Sequence, residues 1–301
     1  MLLVPLIPLM MGFSIFSSCF NFYKRTVKTD SSTTIKVASY NVRLFDLYNW
    51  TKNKETRSKI MRQLDTMDVD VICFQEFFTN DNPKAGFENI DTLKQILDMR
   101  YVHYLYTSTL NKTEHFGLVT FSKFPIITTG EVKINSRHTN GCIFTDIYTK
   151  GEIIRVYNVH LESMRFDKKD YKLVNKLEEG VGNKNDFEVA GSLSHKIRHA
   201  AKLRASQAEI IHKHVLGCKR KLLLVGDFND TPASYTYRVL SYKLDDSFKA
   251  GNIGFGLSYT QFWPGFRIDY ILHSKNIKTL DYKTIKNNLS DHYPVIATIA
   301  F

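Results

Sequence analysis

The 301-residue chain, with 43% hydrophobic residues and a formal net charge of +11, is long enough for one large α/β domain or two ordinary ones with a substantial core. The basic balance favours phosphate-bearing partners or an anionic membrane surface and carries no information about fold. Cys19, Cys73, Cys142 and Cys218 form no Cys-x-x-Cys pair and have no zinc-ligand spacing with histidine, so neither a zinc site nor a disulfide framework is indicated.

Leu2 to Tyr23 carries no charge and is followed by Lys24, Arg25 and Lys28. About 20 apolar residues can cross a bilayer as a helix. Pro5 and Pro8 lie near the start of the stretch, where proline disturbs a helix least. Residues 1–23 therefore predict a hydrophobic membrane anchor or a signal-like segment, and the basic C-terminal flank predicts a domain on the cytoplasmic side. The stretch lacks the basic opening of a secretory signal, while Ser17-Ser18-Cys19 loosely resembles a lipoprotein cleavage site. An exported protein or a lipoprotein is the alternative. Residues 24–34, polar and Ser/Thr-rich from Lys28 on, read as a linker, and residues 35–301 as one continuous domain without repeats.

Ile35–Tyr40 is a short predicted strand running into Asn41. The helical spacing of Ile60, Met61, Leu64 and Met67 predicts a helix over Lys54–Met67, and Val69–Phe74 a strand ending in Gln75-Glu76. A helix over Thr92–Met99 and a strand over Gly117–Phe121 follow. Cys142–Tyr148 and Glu152–Asn158, separated by Thr149, Lys150 and Gly151, predict a hairpin whose second strand delivers His160. Asp167–Gly191 is polar and irregular, an insertion-like segment with room for a short helix. Ser194–Leu216 has apolar residues at Ile197, Ala201, Ala208, Ile211 and Val215, the spacing of a long amphipathic helix with a basic outer face.

Leu222–Val225 is long enough for a buried strand and too short for a helix. It stops at Gly226, which permits a tight turn or a close backbone approach. Asp227 and Asn229, two apart in extended backbone, would face the same space: one an anionic base, the other an amide that holds a ligand or a water. Ser234–Leu240 predicts a short helix and Arg267–Leu272 a strand carrying Asp269. Thr279–Ile285 and Pro294–Phe301 are further predicted strands, the last entered just after Asp291-His292. Strands that alternate with helices, with hairpins among them, predict a mixed-sheet α/β fold.

Polar residues able to do chemistry recur where the apolar runs end: Asn41, Glu76, His160, Asp227, Asn229, Asp291 and His292. Each alone has an ordinary explanation, as a turn cap, a solvated acid or a half-buried histidine. Asp269, between Ile268 and Tyr270, is harder to dismiss, because a carboxylate inside a strand costs several kcal/mol unless a cation pairs with it. Asn, Asp, Glu and His gathered at strand ends are what a hard divalent cation with acid–base chemistry needs.

Six segments carry a resemblance: Ser39–Arg43, Val71–Glu76, Asn158–Glu162, Gly226–Asn229, Arg267–Tyr270 and Ser290–Pro294. In these segments, and in their order, the chain resembles the endonuclease/exonuclease/phosphatase superfamily, the deoxyribonuclease-I-like fold, from about Ile35 to the C-terminus. The resemblance implies a four-layer α/β sandwich, two packed mixed β-sheets flanked by helices, in a monomer. It implies that Glu76, Asn41 and Asp291 hold Mg²⁺, or Mn²⁺ in its place. It implies that Asp227 orients or deprotonates the attacking water and that Asn229 fixes Asp227. His160 and His292 would hydrogen-bond the phosphoryl oxygens or exchange protons, with Asp269 paired to His292 and Glu114 supporting His160.

The activity so implied is hydrolysis of a phosphodiester, nuclease-like, by in-line attack of water, with a phosphomonoester as the lesser possibility. A membrane-lipid phosphodiesterase or an inositol-phosphatase type of enzyme is the first alternative. A non-catalytic membrane-tethered binding module is the second. Phosphate-bearing nucleic acids or phospholipid headgroups are the expected partners. The loops that would select among them, Asn80–Asn89, Asp167–Gly191 and Lys249–Pro264, carry no recognisable signature.

Overall fold

The computed structural model describes residues 6–25, 33–134, 140–166, 168–178, 186–262 and 265–301. In chain order, helix α1 (Leu6–Cys19) precedes strand β1 (Thr34–Asn41), helix α2 (Thr56–Asp65) and strand β2 (Val71–Asn80). Helix α3 (Asn89–Ile96) leads into β3 (Tyr101–Leu110), β4 (Glu114–Ser122), β5 (Ile126–Glu131), β6 (Gly141–Thr149) and β7 (Glu152–His160). Helices α4 (Lys168–Glu178) and α5 (Asp186–Leu216) come before β8 (Lys221–Asp227), α6 (Tyr235–Leu240), β9 (Leu244–Asp246) and α7 (Ser247–Gly251). Strands β10 (Asp269–Ser274), β11 (Lys278–Thr284) and β12 (Val295–Ala300) complete the order.

The strands form two six-stranded sheets, ordered β11-β12-β1-β2-β4-β3 and β5-β6-β7-β8-β10-β9. β1 runs parallel to β2, and β7 parallel to β8; every other neighbouring pair is antiparallel. Both sheets are therefore mixed, as the sequence predicts. The parallel strands β1, β2, β7 and β8 end toward one edge of the molecule, and the antiparallel β10 and β12 begin there. That edge collects the candidate site residues.

Three apolar layers hold the sandwich together. Val37, Val71, Cys73, Val156, Leu223, Val225, Ile271 and Ala297 fill the space between the sheets. Tyr40, Phe74 and Phe121, on the opposite side of the first sheet, pack with Ile60, Leu64 and Leu93 of α2 and α3. Tyr157, Val159, Leu222, Leu224 and Tyr270, on the outer side of the second sheet, pack with Ala208, Ile211 and Val215 of α5. Side chains alternate between faces along a strand, so a strand buried on both faces must be apolar throughout. This is why β8 reads as an unbroken Leu222–Val225 run.

One polar network crosses the sheet interface. Gln75 Nε2 donates to Asn158 Oδ1 at 2.8 Å, and Asn158 Nδ2 donates to the carbonyls of Phe74 and Val119 at 3.1 and 3.0 Å. All of these groups are buried, so none has water to fall back on. Asn158→Leu, similar in volume and unable to hydrogen-bond, takes the Asn158 amide from the Phe74 and Val119 carbonyls and leaves Gln75 Nε2 only the Cys73 carbonyl at 3.2 Å. It is expected to cost about 3 kcal/mol, from roughly 1–3 kcal/mol for each buried group left unsatisfied. Urea unfolding checks this: a loss below about 1 kcal/mol would mean that the network adds little.

The structure also departs from the expected elements. The segment Asp167–Gly191, read as irregular with room for a short helix, contributes the helix α4 and also the first turns of α5, which begins at Asp186 rather than Ser194. Asp170 Oδ2 accepts from Lys196 Nζ at 2.6 Å, tying the two helices together. β3, β5 and β9 were not predicted, because these strands are sheet edges or very short and lack a continuous apolar run. The strand expected at Arg267–Leu272 is Asp269–Ser274, and the helix expected at Thr92–Met99 is Asn89–Ile96.

The uncharged N-terminal stretch ends against the domain. Asn21 forms a bridge with Gly254, and its side-chain amide donates to the carbonyls of Lys249 and Asn252 at 3.0 and 2.5 Å. Lys24 Nζ lies 3.0 Å from Asp281, and Arg25 N donates to Ala250 O at 3.0 Å. Residues 26–32 of the expected linker lie outside the described residues. Among the described residues, no helix is long and apolar enough to cross a membrane.

Candidate active site

The centre of the site is Asp227, the last residue of β8. In register, it sits between His160 of β7 on one side and Asp269 of β10 on the other. The local backbone explains how it reaches this place. Gly226 has φ of 141°, and a Cβ there would stand 2.0 Å from the carbonyl oxygen of Val159. Only glycine lets β8 approach β7 this closely just before the acid. Asn229 follows at φ of 52°, a left-handed conformation that Asn tolerates better than most residues.

The Asp227 carboxylate is held by Asn41 and Asn229. Asn41 Nδ2 donates to its Oδ2 at 3.0 Å, and the backbone N–H of Asn229 donates to its Oδ1 at 2.8 Å. The side-chain amide of Asn229 is fixed by the Leu161 carbonyl at 3.0 Å. Two imidazoles face the same oxygen: His160 Nε2 and His292 Nε2 each lie 3.7 Å from Asp227 Oδ2. Burial is the largest influence on Asp227 and raises its pKa, against the lowering pull of His292. A carboxylate so raised is a better proton acceptor near neutral pH than an exposed aspartate.

His292 is oriented from behind. Its Nδ1 meets Asp269 Oδ2 at 2.9 Å, and its backbone N–H donates to Ser290 Oγ at 3.2 Å. Burial lowers the pKa of the ring, but the carboxylates of Asp269 and Asp227 outweigh it and push the value up to about 10. The ring is thus an imidazolium at neutral pH. Asp269 is fully buried, and its Oδ1 has no hydrogen-bond partner among the described residues, so the imidazolium is its main compensation.

A second group of oxygens lies next to this one. Glu76 sits at the bulge where β2 shifts register against β4, with φ of 46°. Such a bulge re-aims a side chain toward the edge of the sheet. The Glu76 carboxylate is raised in pKa chiefly by burial; His160 opposes this, and the negative charge of Asp291 adds to it. Asp291 lies in the turn before β12, where Ser290 Oγ donates to its Oδ1 at 3.3 Å and to the Asn41 carbonyl at 2.9 Å. Its other oxygen is 3.4 Å from Arg43 Nε.

Either group offers metal-ligand atoms, and physical chemistry separates them. Ligand atoms of Asp227, Asp269 and His292 lie within 4.8 Å of one another. A cation there would have to displace the proton that already joins His292 to Asp269. Glu76, Asp291 and Asn41 offer only oxygens, two of them carboxylates whose mutual repulsion raises Glu76. With side-chain exposures of 30% and 14%, Glu76 and Asp291 leave access for water. That donor set fits a hard, partly hydrated divalent cation.

The structure thus gathers Asn41, Glu76, His160, Asp227, Asn229, Asp269, Asp291 and His292 at one edge. The Glu114 carboxylate accepts from Asn111 Nδ2 at 2.8 Å, and Glu76 and Asp227 each place a carboxylate oxygen 3.7 Å from His160 Nε2. Sequence reasoning missed Ser258, whose Oγ accepts from the backbone N–H groups of Ile268 and Asp269 at 3.1 Å each. It also missed Tyr259, whose ring lies 4.9 Å from that of His292. Arg43 stood in a matching segment without a role; its guanidinium lies 4.8 Å from the Trp50 ring centre.

A family model described as the Endonuclease/Exonuclease/phosphatase family matches residues 38–292. No curated protein matches the sequence. Among solved structures, an endonuclease/exonuclease/phosphatase from Beutenbergia cavernae DSM 12333 is similar over 89% of this chain and 72% of its own, with 13% identity and a TM-score of 0.63. The human nocturnin catalytic domain with a bound sulfate anion is similar over 89% and 94%, with 14% identity and a TM-score of 0.61. A mannosyl-6-phosphatase from Bacteroides thetaiotaomicron VPI-5482 is similar over 89% and 100%, with 17% identity and a TM-score of 0.59. At these identities the likeness is one of fold.

Proposed function

The chain belongs to the Endonuclease/Exonuclease/phosphatase family, a family of phosphoester-hydrolysing enzymes, and on that premise we propose that it hydrolyses phosphodiesters, nuclease-like, by in-line attack on phosphorus of a water activated by Asp227. The observation that carries this reading is the placement of one buried carboxylate 3.7 Å from two imidazole nitrogens, with its oxygens fixed by Asn41 and Asn229. Asp227 accepts a proton from the water, and Asn229 keeps the carboxylate aimed. His292, held as an imidazolium by Asp269, donates to the phosphoryl oxygen on which charge builds or to the departing oxygen. His160 donates from the other side.

Asn41, Glu76 and Asp291 would hold the divalent ion, Mg²⁺ or in its place Mn²⁺. Bound there, it would neutralise negative charge on the phosphoryl group. Glu76→Ala is expected to weaken this binding: half-maximal activity should require at least about tenfold more Mg²⁺, with the rate partly restored at high concentration. Titration of activity against Mg²⁺ checks this, and an unchanged midpoint would take Glu76 out of the metal site.

The net charge of +11 suits a polyanion, which favours a polynucleotide over a neutral headgroup. Membrane association through residues 1–23 belongs to the same proposal. Its support is the uncharged α1 with exposed Phe13 and Phe16, the exposed Phe22 that follows it, and the basic pair Lys24 and Arg25. Incubation of the purified protein with DNA, RNA, phospholipid vesicles and inositol phosphates, each with Mg²⁺, tests the substrate. Cleavage of nucleic acid supports the reading, and turnover of lipid alone replaces it with the lipid phosphodiesterase.

A further inference from the structure

The side chains at the end of α1 and just after it join an apolar loop of the catalytic domain in one surface. Ring centres of Phe16 and Phe20 lie 5.9 and 5.0 Å from that of Phe255, and those of Phe20 and Phe22 are 4.9 Å apart. Phe255 and Ile253 stand in the loop between α7 and Ser258, 44% and 54% exposed, and Phe22 and Tyr23 are exposed as well. Backbone pairing fixes this surface to the domain. Asn21 N donates to Gly254 O at 2.8 Å and Gly254 N to Asn21 O at 2.9 Å, while Asn252 Nδ2 donates to the Tyr282 carbonyl of β11 at 3.1 Å. Large apolar side chains gathered at the surface mark a face that something else covers.

Cations border the same face. Arg25, Lys249 and Lys278 line a cavity of about 850 Å³, and none of the three forms an ion pair among the described residues. The acids of that cavity are Asp245 and Asp246, and Asp246 is already paired with Arg267 Nη1 at 2.7 Å. Positive charge is therefore in excess. Exposed aromatic rings with lysine and arginine at their edge suit the headgroup region of a membrane. A second copy of this chain suits the face poorly, because a two-fold contact would set the same cations against one another. An anionic bilayer complements both the rings and the charges, and the uncharged α1 leads directly into the face.

Resting on the membrane-association reading above, we propose that this face of the catalytic domain docks onto an anionic bilayer. Ile253 and Phe255 enter the interface beside Phe22 and Tyr23, and Arg25, Lys249 and Lys278 meet lipid phosphates. The domain is then held in one orientation on the membrane instead of turning freely about its N-terminal segment.

Tryptophan fluorescence of the full chain reconstituted in vesicles, with a doxyl-labelled phosphatidylcholine as quencher, tests this. The substitution Ile253→Trp reports from the face. Leu110→Trp, at an exposed position on β3, the edge of the first sheet opposite β11, is the control. In vesicles of phosphatidylcholine with phosphatidylglycerol, the Ile253→Trp signal is expected to shift to the blue and to be quenched, and the Leu110→Trp signal to do neither. Adding Arg25→Glu and Lys249→Glu to Ile253→Trp should lower the ratio of docked to undocked domain by about tenfold or more, the scale of two headgroup charges. The quenching should then fall to its level in vesicles of phosphatidylcholine alone. Equal signals from the two tryptophan positions in vesicle-bound protein overturn the docking and leave the anchor standing. Quenching of Ile253→Trp that ignores both the lipid charge and the two charge reversals overturns the anionic bilayer as partner. A blue shift before any lipid is added, with a doubled mass in solution, gives the face to a second copy and overturns the proposal. Failure of the chain to associate with vesicles removes the anchor and the docking together.

Discussion

Asp227→Asn is expected to lower kcat for phosphodiester hydrolysis by about 10³-fold or more, within the range for loss of a general base. The substitution keeps the shape of the side chain and one of its oxygens, so the contact with Asn41 or with Asn229 can persist. What it removes is the proton acceptor. Folding should survive, because the change deletes a buried charge whose pKa burial already raises. The Mg²⁺ midpoint should move little, since Asp227 is not one of the residues, Asn41, Glu76 and Asp291, proposed to hold the ion. A kcat within about tenfold of wild type, in a protein with native circular dichroism, would take Asp227 out of the water-activating role.

Asp269→Ala should be nearly as severe and should leave a different signature. Without Asp269, His292 loses the largest of the influences that raise it, and burial pulls its pKa down from about 10. The imidazolium is then no longer secured at neutral pH, and kcat is expected to fall by about 10²-fold or more. In the metal-free protein the same pair sets a pH dependence of stability. A histidine whose pKa is raised by folding stabilises the protein fully below its unfolded value, near 6.5, and that contribution is lost as pH rises through about 10. Wild-type Tm should therefore decline between about pH 7 and 10, and the Asp269→Ala variant should show a flatter profile at a lower Tm. Parallel profiles for the two proteins would mean that the pair does not hold a charge on His292.

The parts of the chain that could be read from the sequence share a physical cause. β1, β2, β7 and β8 are buried on both faces, so they appear as apolar runs, and their polar ends stand out against them. Asn41, Glu76, His160 and Asp227 were visible for that reason. Asp269 was visible because a carboxylate flanked by Ile268 and Tyr270 needs a partner, and His292 is that partner at 2.9 Å. β3 was harder to see: its Tyr, Thr and Ser residues lie on a sheet edge and are only partly buried. α4 lies in a polar segment whose buried residues are few, among them Asp170 and Leu173. Tyr259 and Phe262 carry no local periodicity at all. They matter through contacts with Tyr171 and His292, which only the folded chain brings near. The bulge at Glu76 likewise depends on pairing with β4, a long-range fact.

The most direct measurement is release of p-nitrophenolate from bis-p-nitrophenyl phosphate by the purified protein, with EDTA added and then reversed by Mg²⁺. The prediction is steady hydrolysis with Mg²⁺, none with excess EDTA and recovery on back-titration, alongside an Asp227→Asn preparation that stays inactive throughout. Hydrolysis that EDTA leaves untouched, or equal activity in the two preparations, would contradict a metal-assisted phosphoesterase centred on Asp227.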